Sequence, residues 1–94
     1  MRHYYTYILT NVHHTVLYVG MSNNPKRRAD EHFKPGHYCF TARFRVNKLV
    51  YYEVFETPME AIRREKQLKA GPRAQKLRLV EGMNPRWNDL YAIL

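Results

Sequence analysis

The sequence is that of a small and strongly basic chain. Its 94 residues, 45% of them hydrophobic, suffice for one ordered domain with a modest core but not for a second independent core. Sixteen Lys and Arg against eight Asp and Glu give a formal net charge of +8, which favours an anionic partner, with nucleic acid as the leading candidate and a merely basic soluble protein as the alternative.

Two strands are predicted at the N-terminal end of the chain. Residues 4–9 (YYTYIL) and 15–20 (TVLYVG) are rich in aromatic and β-branched residues. The short polar break between them favours an antiparallel hairpin, although it lacks a strong turn signal, so the register stays open. If Tyr7 pairs directly with Tyr18, both phenols lie side by side on one face of the hairpin.

A short helix is predicted over residues 25–33. Polar residues just before it are capping candidates, and Pro25 suits the first helical position because no intrahelical partner is needed there. At helical spacing Arg28 and His32 share one edge of this helix, next to its buried side. The following residues 34–47 contain a Pro-Gly pair and indicate a loop without firm structure.

A third strand and a longer helix come next. Residues 48–55 (KLVYYEVF) alternate but are largely apolar on both faces, which predicts a strand lying between two covering layers. Thr57 and Glu60 have the spacing of a capping box, and the Gly71-Pro72 pair supplies a stop. A helix over residues 58–70 follows from these signals.

A shorter helix is predicted over residues 73–80, with Leu77 and Val80 facing inward and with Gly82 and Asn84-Pro85 ending it. No internal repeat and no linker divide the chain. The order of elements predicts one domain over residues 1–94, of the α/β class in its α+β form. Its centre would be a small, mainly antiparallel three-stranded sheet flanked by helices.

The single cysteine and the N-terminus bear on location. Cys39 has no partner for an internal disulfide or for a paired zinc site, so we expect it to be a packing residue. No apolar signal core follows Met1, and no window of the sequence is long enough to span a membrane. These features predict an intracellular, reducing environment, which means a cytoplasmic protein.

Glu65 is the most informative residue of the longer helix. A helical wheel places it inside the apolar stripe, with Leu68 on one side and Ile62 on the other. A carboxylate there is costly unless it is paired or binds a cation. An ion pair with Lys69 or with Arg28 would satisfy it, and so would a metal ion; the helical pattern leaves these alternatives open.

A set of residues occurs in an order and spacing that are fairly specific, although its short pieces are weak evidence singly. The set consists of Tyr5-Thr6-Tyr7, Tyr18-Val19-Gly20, Arg28, His32 and Glu65. It resembles the GIY-YIG nuclease domain, particularly the small stand-alone bacterial members. It is also similar in plan to the N-terminal nuclease domain of the UvrC excision-repair subunit. The resemblance covers about residues 4–80.

The resemblance implies a metal-dependent DNA endonuclease that uses a single Mg²⁺ or Mn²⁺. Glu65 corresponds to the metal-binding glutamate, and Arg28 to the arginine that binds the scissile phosphate. Tyr18 would serve as the base that activates the attacking water. Tyr7 would position this nucleophile or relay its proton. His32 would assist proton transfer or orient a phosphate. The implied catalytic residues are therefore Tyr7, Tyr18, Arg28, His32 and Glu65.

The implied chemistry sets conditions on these residues. Phosphodiester hydrolysis needs an activated water, neutralisation of charge on the phosphate, and help for the departing oxygen. A phenol is almost wholly protonated at neutral pH, so Tyr18 can act as a base only beside a cation or a suitable hydrogen bond. A single carboxylate such as Glu65 suits a hard cation that keeps most of its waters.

The sequence departs from the family pattern in two ways. Tyr5 and Thr6 replace the first two residues of the first motif, while the tyrosine at its end remains. No separate DNA-binding domain follows, so we expect weak binding unless the protein recognises a flap, nick or branch, dimerises, or uses a protein partner. Gly20 matches the family glycine, which allows a close approach of the backbone.

Other residues leave alternatives open. Without the rest of the set, Tyr7 and Tyr18 would be ordinary strand aromatics. Strand alternation groups Glu53 with Leu49 and Tyr51, away from the predicted site. His13, His14 and His37 do not indicate zinc, because adjacent histidines on an extended chain point apart and no cysteine pair supports them.

The two C-terminal helices are rich in basic residues whose outward side either follows phosphates or is merely solvated. These residues are Arg63, Arg64, Lys66, Lys69, Arg73, Lys76 and Arg78. A non-catalytic nucleic-acid-binding module with the same fold is the main alternative to a nuclease. A small RNA- or ribosome-associated protein is another, and a helix-turn-helix over residues 58–80 is weaker.

Overall fold

The computed structural model of the protein describes residues 3–24 and 46–93. The elements in this part of the chain are β1 (Tyr4–Thr10), β2 (Leu17–Ser22), β3 (Lys48–Phe55), α1 (Pro58–Ala70), α2 (Arg73–Met83) and a short 3-10 helix (Leu90–Ile93). The predicted helix over residues 25–33, with Arg28 and His32, lies outside the described residues, as do Cys39 and His37.

The strands form an antiparallel sheet in the order β2-β1-β3, which confirms the predicted α+β architecture. β2 begins at Leu17 and not at Thr15 as predicted, because Asn11 holds the preceding residues in the turn. The Asn11 Oδ1 atom accepts hydrogen bonds from the backbone N–H groups of Thr15 and Val16, at 2.8 and 3.2 Å. The turn is therefore organised by this one asparagine side chain and not by a two-residue turn motif.

The hairpin register places the two motif tyrosines in diagonal cross-strand positions, two residues out of direct pairing. Tyr7 pairs with Gly20, and Tyr18 pairs with Leu9. Direct pairing of Tyr7 with Tyr18 therefore does not occur. Both side chains still occupy one face of the sheet, because Tyr7 and Leu9 lie two residues apart on the same strand.

A β-bulge interrupts the alternation of β3. Ile8 pairs with Tyr51, whereas the next residue, Leu9, pairs with Leu49, so one residue of β3 is left over between them. The prediction that Leu49 shares a face with Tyr51 was therefore wrong. Leu49 packs with Leu9 on one face, and Tyr51 packs with Ile8 on the other.

The core has two layers, one on each face of the sheet, as the apolar pattern of β3 predicted. On the helix side, strand residues such as Ile8 pack against Leu68 of α1 and Val80 of α2. On the opposite side, Tyr7 belongs to a buried cluster against which Leu90 of the 3-10 helix packs. Full burial of each such apolar side chain contributes about 1.5 to 3 kcal/mol.

The longer helix has the predicted bounds and caps. The Thr57 hydroxyl accepts a hydrogen bond from the Glu60 N–H at 3.3 Å, and Pro58 occupies the first turn. At the other end the Gly71 N–H donates to the carbonyl oxygens of Gln67 and Leu68. The Thr6 hydroxyl donates to the carbonyl of Ala61 at 2.7 Å inside the protein, which fixes α1 across β1.

The second helix is longer than predicted, since it runs from Arg73 to Met83 and contains Gly82. Its end is set by Asn84, whose N–H donates to the Val80 carbonyl and whose side chain donates to the carbonyls of Val50 and Asn88. An exposed glycine costs a helix only about 0.5 to 1 kcal/mol, too little to end it. Within the described residues, no helix has the length and apolar character needed to cross a membrane.

Candidate active site

The two motif tyrosines lie on the face of the sheet that points away from α1. Thr6 and Ile8, the neighbours of Tyr7 in β1, contact the helices, so Tyr7 faces the other way. Tyr7 is only 2% exposed, and Tyr18 is partly buried against the same cluster. The structure thus brings these two predicted residues together on one surface.

Gly20 is required by the position of the Tyr7 ring. A Cβ atom added at Gly20 would lie 2.6 Å from the Tyr7 hydroxyl oxygen and 2.7 Å from the ring carbons Cε1 and Cζ. Separations this short are essentially never found in proteins. The close approach predicted at this glycine is therefore made by a tyrosine side chain, which links the first motif to the second.

Glu65 lies at the edge of the buried stripe of α1, and the prediction that it sits inside the stripe was wrong. Leu68 on one side is fully buried, whereas Ile62 on the other is 39% exposed and Met59 is 68% exposed. The wheel assumed that every apolar residue of the helix faces the core. At this edge the Glu65 side chain retains 20% exposure, and the Lys69 Nζ atom lies 3.7 Å from its Oε2 atom.

A cleft of about 470 Å³ opens between the edge strand β2 and the helices. It is lined by Leu17, Tyr18, Val19, Lys69 and Lys76. Lys69 is also the ion-pair partner of Glu65, so the predicted metal-binding residue lies near this cleft. Tyr18 contributes to the cleft from the edge strand β2, although its side chain packs with the cluster on the other face of the sheet. Sequence reasoning assigned no specific role to either lysine, because the helical pattern alone cannot show that they meet β2.

Glu53 is held in a network with Tyr51 and Arg64. The Tyr51 hydroxyl donates to its Oε2 atom at 2.5 Å, and the Arg64 Nε atom donates to both carboxylate oxygens at 3.0 and 3.2 Å. Burial, and then the Glu53 carboxylate, raise the pKa of Tyr51 to about 12. This network ties β3 to α1 and removes Arg64 from the solvated basic face of the helix.

His14 has a structural role. Its ring stacks on Trp87, with centroids 4.6 Å apart, and the Lys48 Nζ atom lies 3.2 Å from its Nε2 atom. Burial, and then the positive charges of Lys48 and His13, lower the pKa of His14. Across the described ranges, no three His, Cys, Asp or Glu side chains converge on a common metal position.

Comparison with known proteins identifies a family for the chain. The model of the GIY-YIG catalytic domain family matches residues 3–78. The UPF0213 proteins of Staphylococcus aureus strains Mu3 and COL are each 35% identical to the chain over 65 residues, which is 69% of this chain and 79% of theirs.

A solved structure has a similar fold. It is the solution NMR structure of a UPF0213 protein from Bacillus halodurans, with a TM-score of 0.58 and 24% sequence identity. The similarity covers 97% of this chain and 96% of that one. The family match spans most of the chain and includes Tyr7, Tyr18 and Glu65. The chain therefore belongs to the GIY-YIG catalytic domain family, whose members are typically nucleases.

Proposed function

We propose that the protein is a metal-dependent endonuclease that hydrolyses phosphodiester bonds in DNA. The observation that carries the proposal is the position of Tyr18, which lines a cleft together with Lys69, the ion-pair partner of Glu65. A tyrosine, a carboxylate and positive charge next to a cleft supply what attack on a phosphate requires. The match to a catalytic domain family supports the same conclusion.

Glu65 is the residue proposed to hold the cation. Its carboxylate is partly exposed, and its contact with Lys69 at 3.7 Å is longer than a strong charged hydrogen bond, so the lysine is easily displaced. A lone carboxylate of this kind fits Mg²⁺ or Mn²⁺, which keep most of their waters. When bound there, the cation would supply positive charge that favours a phenolate and stabilises the leaving oxygen.

The two tyrosines take different roles in the proposal. Tyr18, which lines the cleft, would orient the attacking water and accept its proton. Tyr7 is 2% exposed, so it would position Tyr18 and the nucleophile, with Gly20 making room for its ring. By resemblance to the family, Arg28 would bind the scissile phosphate and His32 would assist proton transfer; both lie outside the described residues.

The proposed reaction is direct attack by water on phosphorus. The water oxygen forms a bond to phosphorus, the bond from phosphorus to the 3′ oxygen breaks, and the 3′ oxygen takes up a proton. The products are a 5′-phosphate and a 3′-hydroxyl. We further propose that the chain acts as one domain over residues 1–94. It would select flaps, nicks or branches in DNA repair or recombination, alone, as a homodimer or with a protein partner.

The test is cleavage of end-labelled duplex, nicked, flap and branched DNA with Mg²⁺, with Mn²⁺ or with EDTA. We expect cutting that requires the metal ion and leaves a 5′-phosphate. DNA ligase, which joins only ends that carry this phosphate, identifies it. Binding of these DNA substrates without cutting of any of them would overturn the proposed nuclease function. That outcome would favour the non-catalytic binding module, for which the ion pair between Glu65 and Lys69 is the supporting observation.

A further inference from the structure

The cleft beside β2 combines two positive charges with mainly apolar walls. Its charged lining residues are two lysines, and among the described side chains that line it there is no carboxylate. The other described residues that line it are Leu17, Tyr18 and Val19 of β2. A volume of about 470 Å³ is within the ordinary range of ligand pockets, so there is room for a phosphate with its attached sugar.

The two lysines are held differently. The ammonium of Lys76 donates to the carbonyl oxygen of Gly71 at 2.9 Å, at the point where α1 ends, and its side chain is partly buried. Lys76 therefore stabilises the α1–α2 connection and adds charge to the cleft from a fixed position. Lys69 has a side chain that is 52% exposed, and its ammonium lies 3.7 Å from the Glu65 Oε2 atom.

The contact between Lys69 and Glu65 is weak enough to be exchanged. Charged N–H to oxygen hydrogen bonds are about 2.7 to 2.9 Å long, and exposed ion pairs of this spacing along a helix contribute little to stability. A phosphate in the cleft offers Lys69 a second anionic partner within the reach of the same flexible side chain. The lysine can thus turn from the carboxylate to the ligand without any change in the fold.

We propose that this cleft binds a backbone phosphate of the nucleic-acid strand next to the bond that is cut, and that Lys69 contacts this phosphate. The inference rests on the proposed nuclease function, because it places the strand in the cleft that Tyr18 lines. Lys69 is then a substrate-binding residue outside the catalytic set. The partly buried Leu17 would face the sugar, and Lys76 would contribute its charge from the rear.

The test measures binding without cleavage. Fluorescence anisotropy of a labelled nicked duplex in EDTA, over a series of KCl concentrations, gives the affinity and its dependence on salt. The variants are Lys69→Gln and the matched control Lys66→Gln, which removes the same charge from an exposed position of the same helix but outside the cleft lining. Lys69→Arg tests rescue by a conservative change.

We expect Lys69→Gln to weaken binding about threefold to fivefold and to lower the slope of log K against log salt by about 0.7 to 0.9, the loss of one phosphate contact. We expect Lys66→Gln to change the slope by less than about 0.2, and Lys69→Arg to restore most of the affinity. Equal effects of the Lys66 and Lys69 substitutions, or none from Lys69→Gln, would overturn the proposal.

A double variant separates direct contact from neutralisation of Glu65. If Lys69 acts only by masking that carboxylate, its substitution has no effect once Glu65→Gln is present. We expect the slope change to persist in the double variant, and its disappearance would contradict the inference. Inorganic phosphate serves as a further probe: competition at low millimolar concentration that is as strong as that of an unlabelled duplex would indicate a free-anion site instead of a strand site.

These outcomes are distinct from those of the cleavage test. Because the measurement is made in EDTA, it does not depend on turnover. A protein that binds through Lys69 but cuts no substrate would contradict the proposed nuclease activity and leave the phosphate contact in place. If the wild type cuts DNA but Lys69→Gln binds DNA as tightly as the wild type, the nuclease activity stands and the phosphate contact of Lys69 is contradicted.

Discussion

The ring of Tyr7 lies directly across the α-carbon of Gly20, so that a methyl group at residue 20 would stand 2.6 Å from the Tyr7 hydroxyl oxygen. Tyr7 is 2% exposed and cannot move aside freely. We therefore expect Gly20→Ala to destabilise the protein by about 1 to 3 kcal/mol, as overpacking of a core does. Urea unfolding followed by circular dichroism measures this change.

Gly82 provides the matched control for that substitution. It lies exposed in α2, with nothing within 4 Å of an added Cβ atom. Gly82→Ala should therefore stabilise the protein, by about 0.5 to 1 kcal/mol, because alanine favours the helix. A Gly20→Ala protein as stable as the wild type would show that the Tyr7 ring is not confined as described.

Tyr51 predicts a loss of stability at high pH. Its phenol, which is buried and donates to Glu53, has a pKa raised to about 12, whereas an unfolded tyrosine titrates near 10. Between these pH values the folded state holds the proton more tightly, so the free energy of unfolding falls as pH rises, by about 1.4 kcal/mol per pH unit for this group. Tyr51→Phe should remove this part of the pH dependence.

Urea unfolding at pH 9, 10 and 11 compares the two proteins, and the slope of stability with pH is the quantity of interest. The difference between wild type and Tyr51→Phe should shrink steadily above pH 10. A constant difference would mean that the Tyr51 phenol ionises with its ordinary pKa in the folded protein.

His14 predicts a second pH effect, on the acid side. Its pKa is lowered by burial and by the positive charges of Lys48 and His13, so the folded state binds a proton there less readily than the unfolded chain does. Below about pH 6.5 the unfolded state therefore binds more protons, and stability falls as the pH falls. The stack of His14 on Trp87 should loosen in the same range.

The variant that tests this is His14→Asn, because residue 14 has a φ of 56°, a conformation that asparagine tolerates better than most residues. In melting curves at pH 5, 6 and 7, we expect the melting temperature of His14→Asn to fall less on acidification than that of the wild type. His3→Asn, which removes an exposed histidine that is not among the causes of the lowered pKa of His14, serves as the control. Parallel pH curves for wild type and His14→Asn would contradict the assignment.

Local signals in the sequence predicted the elements but not their relationships. The Thr57 cap and the Gly71 stop fixed α1, since both are chemical signals that act within a few residues. The hairpin register depended on the side chain of Asn11, and the faces of β3 depended on a bulge. Neither feature has a pattern of its own in one sequence, because each is decided by pairing between strands.

The candidate site shows the same division. The spacing of the family motifs identified Tyr18 and Glu65 as candidate site residues. It did not predict which residues they contact. The reason that residue 20 is glycine and the meeting of Lys69 with β2 became visible only with the fold. Glu65 was placed too deep because a wheel cannot tell that Met59, an apolar residue of the same helix, is 68% exposed.

In the proposed function, Glu65 serves metal-dependent cleavage of DNA. The most direct measurement is the cutting rate of end-labelled branched and nicked DNA in Mg²⁺ by wild type, Glu65→Gln and the control Glu81→Gln, which removes a carboxylate from an exposed position of α2. Circular dichroism must show all three proteins folded. We predict that Glu65→Gln slows cutting by about 10² to 10³, while Glu81→Gln cuts like the wild type. Equal cutting by the two variants would contradict the account.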